Sequence, residues 1–302
     1  MNEAPDPNYM HNLGEHDNAA VTVEVPHAKG VDVYLFAGPE MVDAVRRYNL
    51  FSGGGPQVPE WGLGFWYRAD ALSTQQSALA LTAEFRDRKI PCDVLGLERG
   101  WQTHAYSCTF EWNRNRFADP HKFLKLATDL NYKVNLWEHA YTHPASPLFP
   151  LLQSHAGDYG VWGGLVPDFG DAAARNIFGE HHGTVFIDQG VSGFKLDECD
   201  NSDYTGGWSF PECSTFPSGL DGELMHSFFG LRYQMTLWNE FRKRGLNTYS
   251  LVRSSGALAT PYPFVLYSDL YNHRGFIRAL VNAGFSGLLW CPEVRDATSE
   301  RI

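Results

Sequence analysis

No apolar run in the chain is long enough to cross a bilayer. The first twenty residues, MNEAPDPNYMHNLGEHDNAA, lack the charged and apolar regions of a secretory leader. Neither a membrane partner nor a leader is therefore expected within the chain, and its compartment stays open. Basic charge is also scarce. Lys and Arg number 24 against 35 Asp and Glu, a net charge of −11, which argues against nucleic acid or an anionic lipid surface as partner. The five cysteines, Cys92, Cys108, Cys199, Cys213 and Cys291, form no CxxC pair and no zinc-ligand spacing. That excludes a disulfide framework and a structural zinc site, although a single bridge such as Cys199 to Cys213 stays open. The first strand of the repeating region is not followed by Gly-x-Gly-x-x-Gly, so a dinucleotide cradle is not expected there either. The reading requires no metal and no cofactor.

What the chain does have is bulk and aromatic surface. Its 302 residues are 43% hydrophobic and 14% aromatic, with nine Trp. Such a chain can bury a large core, and flat indole faces are also the surfaces on which the apolar faces of sugars dock.

Residues 20–50 differ in texture from the rest. AVTVEVPHAKGVDVYLFAG alternates apolar and polar residues as two short strands would, and PEMVDAVRRYNLFSG has helical spacing. The Gly-rich GGGPQVP then reads as a connector, which sets a boundary near residue 55. From Trp61 onward, short apolar strands alternate with amphipathic helices. The strands are WGLGFWYR, CDVLGLE, KVNLWEH, GFKLDE, TYSLVRS, FVLYSD and GLLWCP. The intervening helices include TQQSALALTAEFRDRK and GELMHSFFGLRYQMTLWNEFRKRG. This rhythm implies a parallel sheet with crossover helices. Nearly every strand ends in a polar or aromatic residue, among them Arg68, Glu98, Trp137, Asp197, Arg253, Asp269 and Glu293. Function gathered at many strand ends favours a (β/α)8 TIM barrel over an open sheet. Seven strands are counted and an eighth is missing, so the barrel is expected to be truncated.

GFKLDECD crowds Lys195, Asp197 and Glu198 at the end of one apolar strand. A structural ion-pair cluster would look the same when taken alone. Seventy-two residues downstream, FVLYSD ends in Asp269, far enough for two βα units and a loop. Two carboxylates facing one bond are what glycoside cleavage needs, because the transition state is an oxocarbenium cation. Lys195 and Arg253 are placed to keep Asp197 ionised, while the apolar FVL run and Tyr267 would raise the pKa of Asp269.

Eight short motifs in order over residues 56–297 resemble glycoside hydrolase family 31. They are PQVPEWGLGFWYR, KIPCDVLGLERGW, FEWNRNRFADPHKF, KVNLWEH, VPDFGDAAAR, GFKLDE, LVRSSG and YSD. The resemblance implies retaining α-glycosidase chemistry on a (β/α)8 barrel behind an N-terminal β-sandwich. Residues 1–55 would then hold the end of the sandwich and a linker, and residues 56–302 the catalytic barrel, incomplete at its C-terminus. Carried over, Asp197 resembles the nucleophile and Asp269 the acid/base. Glu98, Trp137, Lys195 and Arg253 fall where the family contacts the sugar, and Glu293 stands where many members carry the Asp of a His-Asp pair. Glu98 itself replaces a common Asp. LERGWQTHAYSC, WEHAYTHP and GLLWCPEVRDA resemble a branch with α-galactosidase activity. The implied partner is an oligosaccharide or glycoside. Sugar transfer, elimination across the ring, or an inactive sugar-binding relic are the alternatives. Of the remaining residues, Trp66, Trp101 and Trp290 are read as core or rim, Glu138, His139 and His143 as hydrogen-bonding groups, and the loop after Asp197 as a pocket wall. Arg242, Lys243 and Arg244 are read as cations at a helix C-terminus.

Overall fold

The computed structural model describes residues 30–200, 207–267 and 273–289. The first described element is helix α1 (Met41–Phe51), as its spacing predicts. The strand expected over residues 31–37 does not form, and its neighbour at 21–25 lies outside the described residues. Val33, Tyr34 and Leu35 stay exposed there, so the alternation has no sheet to pair with among the described residues.

The repeating region then builds one six-stranded sheet. Its strands are β1 (Trp66–Ala69), β2 (Val94–Leu97), β3 (Lys133–Glu138), β6 (Gly193–Leu196), β7 (Ser250–Val252) and β8 (Phe264–Leu266). They lie in the order β1-β2-β3-β6-β7-β8, and every neighbouring pair is parallel. Helices α2 (Gln75–Asp87), α3 (Pro120–Asp129), α5 (Ala172–Val185) and α6 (Gly222–Lys243) carry the crossovers, and α7 (His273–Phe285) follows β8. Among the described residues this is the curled parallel sheet with crossover helices that the alternation implies, part of a (β/α) barrel. Of the seventh expected strand only Gly287 to Leu289 are described; Leu289 accepts a backbone bond from Leu266 at 2.9 Å.

Each crossover helix starts where a side chain can satisfy its free amides. Thr74 and Ser77 form a reciprocal capping box on α2, Asp119 caps α3 ahead of Pro120, and Asp171 and Asp221 cap α5 and α6. Such caps contribute roughly 1 kcal/mol each and fix where the helix begins. The expected first strand is shortened at its start. Trp61 and its neighbours wind into a 3-10 turn, Glu60–Leu63, within which Gly62 packs against the Tyr249 ring. A Cβ on Gly62 would fall 2.4 Å from that ring.

One feature was not anticipated. A hairpin, β4 (Ala156–Val161) and β5 (Gly164–Pro167), projects from the βα connection after β3, which also carries the one-turn helix α4 (Phe149–Leu152). Its two-residue loop, Trp162-Gly163, has φ of +49° and +70°, the backbone that matches the twist of a tight hairpin. The basic cluster is also more than a dipole effect. Arg244 forms a paired bond with Asp188 at 2.6 and 3.0 Å and reaches Glu240 at 2.7 Å, and Arg242 lies 4.6 Å over the Trp238 ring. Cys92, Cys108, Cys199 and Cys213 are all free thiols, so the Cys199–Cys213 bridge does not form. No helix among the described residues is long and apolar enough to cross a membrane.

Candidate active site

Because the six strands run parallel, their C-terminal ends share one edge, and consecutive ends place side chains from distant segments side by side. Register sets Trp137 opposite Lys195, and Arg68 opposite Gly96. Lys195 and Asp197, two residues apart on an extended chain, face the same side. Arg253 follows β7 directly and Tyr267 follows β8.

Asp197 is almost wholly enclosed, with 7% of its surface exposed. Its Oδ1 accepts from Arg253 Nη1 at 3.2 Å and from the Glu198 backbone amide at 3.0 Å. Its Oδ2 accepts from Trp137 Nε1 at 2.7 Å. Burial alone would push this carboxyl up. The charges of Lys195 and Arg253 and the Trp137 bond outweigh it, so the pKa lies below the ordinary value and Asp197 is ionised. The Asp197 backbone is held in turn, its amide donating to the Glu138 carbonyl at 2.8 Å.

Glu98 belongs to a second ionic group. Arg68 bonds it through Nε and Lys195 Nζ lies 3.7 Å away. Arg68 also donates to Asn135 Oδ1 at 2.8 Å and to the Leu97 carbonyl at 3.1 Å. This reach across the sheet needs a gap, and Gly96 provides it: a Cβ there would fall 2.6 Å from Arg68 Nη1. Burial pushes the Glu98 carboxyl up, but Arg68 and then Lys195 outweigh it and its pKa falls. Lys195 Nζ also sits 4.7 Å from the Tyr267 ring centre.

An aromatic rim closes over this floor. Tyr106, from the loop after β2, packs 5.5 Å from Trp137, 5.4 Å from His139 and 4.8 Å from Trp162 at the hairpin tip. Trp208, from the loop after β6, meets Trp162 edge-on at 5.3 Å and stays 46% exposed. The described part of that loop is pinned to the hairpin region. Thr215 bonds Asp158 through its amide at 2.9 Å and its hydroxyl at 2.7 Å, and Ser218 bonds the buried Asp168 at 2.6 and 2.9 Å. The Tyr106 hydroxyl reaches Glu198 Oε1 at 3.3 Å.

Of the residues singled out from the sequence, Asp197, Glu98, Trp137, Lys195 and Arg253 are thus brought together on one edge. Asp269 and Glu293 lie outside the described residues, as does Trp290. Trp101 is core: 1% exposed, it donates to the Trp137 carbonyl at 2.6 Å and so supports the strand end from below. Trp66 packs edge-on against Tyr249 at the opposite end. Glu138 is fully buried, accepting from the Tyr233 hydroxyl at 2.7 Å and lying 3.2 Å from His182 Nε2. His139 is buried and pushed down to about 3 by desolvation, hence neutral. The His143 ring lies tilted against His104, centres 4.1 Å apart, and its Nδ1 accepts from the Ala145 amide at 3.0 Å. Among the described residues no cluster of His, Cys, Asp and Glu is arranged to hold a metal ion. Arg68, Tyr106 and Glu198 are site residues that the motif comparison did not select. Arg68 and Glu198 were visible as charged strand ends, whereas nothing in LERGWQTHAYSC distinguishes Tyr106 as a rim residue.

Comparison with known proteins agrees with this architecture. A model of the glycosyl hydrolases family 31 TIM-barrel domain matches residues 55–294. The α-xylosidase XylQ of Lactiplantibacillus pentosus is 27% identical over 225 residues, which are 70% of this chain and 28% of that protein. Alpha-glucosidase 2 of Bacillus thermoamyloliquefaciens is 24% identical over 302 residues, 87% of this chain and 36% of that protein. The chain thus spans about a third of the length of these relatives. Among solved structures, a family 31 α-xylosidase from a soil metagenome, complexed with xylose, superposes with a TM-score of 0.74 at 17% identity. The match covers 84% of this chain and 39% of that one. With the family's barrel matching most of its length, the chain belongs to glycoside hydrolase family 31.

Proposed function

We propose that this chain is the catalytic barrel of a retaining α-glycosidase, with Asp197 as nucleophile and Asp269 as acid/base. The observation that carries the reading is the Asp197 carboxylate: enclosed, ionised, and oriented by Trp137 and Arg253 at the strand-end edge. An enzyme cleaving an acetal needs a desolvated carboxylate held in this way. Attack on the anomeric carbon forms an ester as the glycosidic C–O bond breaks, and Asp269 gives its proton to the departing oxygen. Water then attacks the same carbon, Asp269 takes a proton from it, and the ester bond to Asp197 breaks.

Asp269 follows β8, whose C-terminal end lies on the same edge. Glu98, Trp137, Lys195 and Arg253 would line the sugar, with Glu293 contributing after the last strand. The barrel would begin near residue 56, behind the end of a β-sandwich. The two relatives described above are named an α-xylosidase and an α-glucosidase, so the galactoside expected from sequence gains no support from them. The reading therefore rests at α-linked glycosides.

The test is to treat the full-length protein with a 5-fluoroglycosyl fluoride, digest it and locate the label. Label on the peptide carrying Asp197 is expected. Label elsewhere, or full turnover by Asp197→Asn, would remove the assignment. Asp269→Ala should spare aryl glycosides with good leaving groups and lose those with poor ones.

A further inference from the structure

The residue after the candidate nucleophile is held in a conformation that a glutamate seldom adopts. Glu198 has φ of +50°, in the left-handed region, at the point where β6 would otherwise continue. On an extended strand Glu198 would face away from Asp197. The left-handed turn breaks that alternation, and its carboxyl lies against the Tyr106 hydroxyl on the rim, within electrostatic reach of Asp197. The turn is pinned at both of its polar backbone groups. The Glu198 amide donates to Asp197 Oδ1 at 3.0 Å, and its carbonyl accepts from the buried Tyr141 hydroxyl at 3.0 Å. Strained backbone secured in this way is found where the position of a side chain is what matters.

We propose that the Glu198 carboxyl is a further substrate-binding group, one that donates a hydrogen bond to a hydroxyl oxygen of the glycoside lying against Asp197. The inference rests on the reading of Asp197 as nucleophile.

The surroundings of the carboxyl support it. Arg68 and Lys195 engage Glu98, and Arg253 spans Asp197 and Asp200. Among the described residues, the groups facing Glu198 include Asp197, Arg253, Asp200 and Tyr106. Burial first, and then the Asp197 charge, push its carboxyl up to about 8, against the weaker opposing pull of Arg253. A protonated carboxyl is a donor, which an ionised one is not. One of its oxygens meets Tyr106, and among the described residues nothing occupies the other. The residue is 8% exposed, enough for contact with a ligand in the mouth and too little for full hydration.

The experiment measures kcat and KM in the full-length protein for wild type, Glu198→Gln and Glu198→Ala. The substrates are aryl α-glycosides and their monodeoxy analogues, assayed from pH 5 to 10. Glu198→Gln, neutral and still a donor, should keep activity within about threefold and carry its alkaline limb to higher pH. Glu198→Ala should lose tenfold or more in kcat/KM on the parent glycoside. On one deoxy analogue, the one lacking the hydroxyl that Glu198 contacts, it should match wild type. An Ala variant equal to wild type on every substrate would overturn the inference, as would equal losses on all analogues. Asp197→Asn serves as the control. If it stays active, the underlying reading fails; if it is dead while both Glu198 variants behave as wild type, only the present inference fails.

Discussion

Replacing Trp137 by Phe keeps an aromatic ring at the end of β3 and deletes one donor, the indole N–H that meets Asp197 Oδ2 at 2.7 Å. A hydrogen bond to a charged group in a dry setting is worth roughly 1.5–3 kcal/mol. At 1.36 kcal/mol per pKa unit, its loss should raise the Asp197 pKa by about one to two units. The sign follows from the folded state. Asp197 is held below its ordinary value by Lys195, Arg253 and Trp137 against the opposing effect of burial, so removing one stabiliser of the anion moves it upward. The acidic limb of kcat/KM should therefore shift to higher pH by about one unit or more. The same linkage acts on folding. A carboxylate with a depressed folded pKa contributes stability above its unfolded pKa, and loses it as pH falls through the folded one. The variant should hence be less stable than wild type at neutral pH, with the gap closing as pH falls through the folded pKa of Asp197. The assay is a pH–rate profile on an aryl α-glycoside, paired with thermal melts at pH 4 and 7 to separate lost packing from lost charge stabilisation. A limb that stays in place, with the variant folded, would refute the claim that this indole holds Asp197 ionised.

Two further substitutions probe the support beneath the site. Gly96→Ala should destabilise the protein by roughly 1–3 kcal/mol in a denaturant melt, since the new methyl lies 2.6 Å from Arg68 Nη1 and evicts that side chain from Glu98; a neutral outcome would mean that Arg68 has another route to Glu98. Glu138→Ala should cost about 3–5 kcal/mol by stranding His182 and Tyr233, whereas Glu138→Gln, which can still accept from Tyr233 and donate to His182, should recover most of it.

The parallel strands and crossover helices were legible because their signals are local: apolar runs, 3.6-residue periodicity and capping side chains just ahead of each helix. Asp197, Lys195 and Arg253 were legible as charges at strand ends, and family motifs separated them from ordinary ion pairs. The hairpin was not legible. Its strands are short and half-exposed, and its turn is Trp162-Gly163 in place of the Asn-Gly or Asp-Gly pairs that announce such loops. Arg68 was seen only as a strand terminus, because its role depends on facing Gly96, and register between strands is not written in either segment. Glu198 was taken with its neighbours as a charge cluster. A left-handed glutamate leaves no mark in composition or spacing.

The strand-end cluster is also hard to explain as a device for stability. Moving an ion out of water costs several kcal/mol even after the protein relaxes, and buried ion pairs seldom repay that better than well-packed apolar side chains would. Here Lys195 and Asp197 are 2% and 7% exposed and the Arg253 side chain 8%, yet apolar residues surround them on the same strands. Phe194 and Leu196 alternate with Lys195 and are fully buried in the core between sheet and helices. The strand thus carries apolar residues wherever packing decides and charged ones wherever its side chains face the mouth. Segregation by face, maintained on β6 and completed by Trp137 on β3 and Arg253 after β7, is what a built binding surface requires. A structural salt-bridge network would have no reason to keep to that one face.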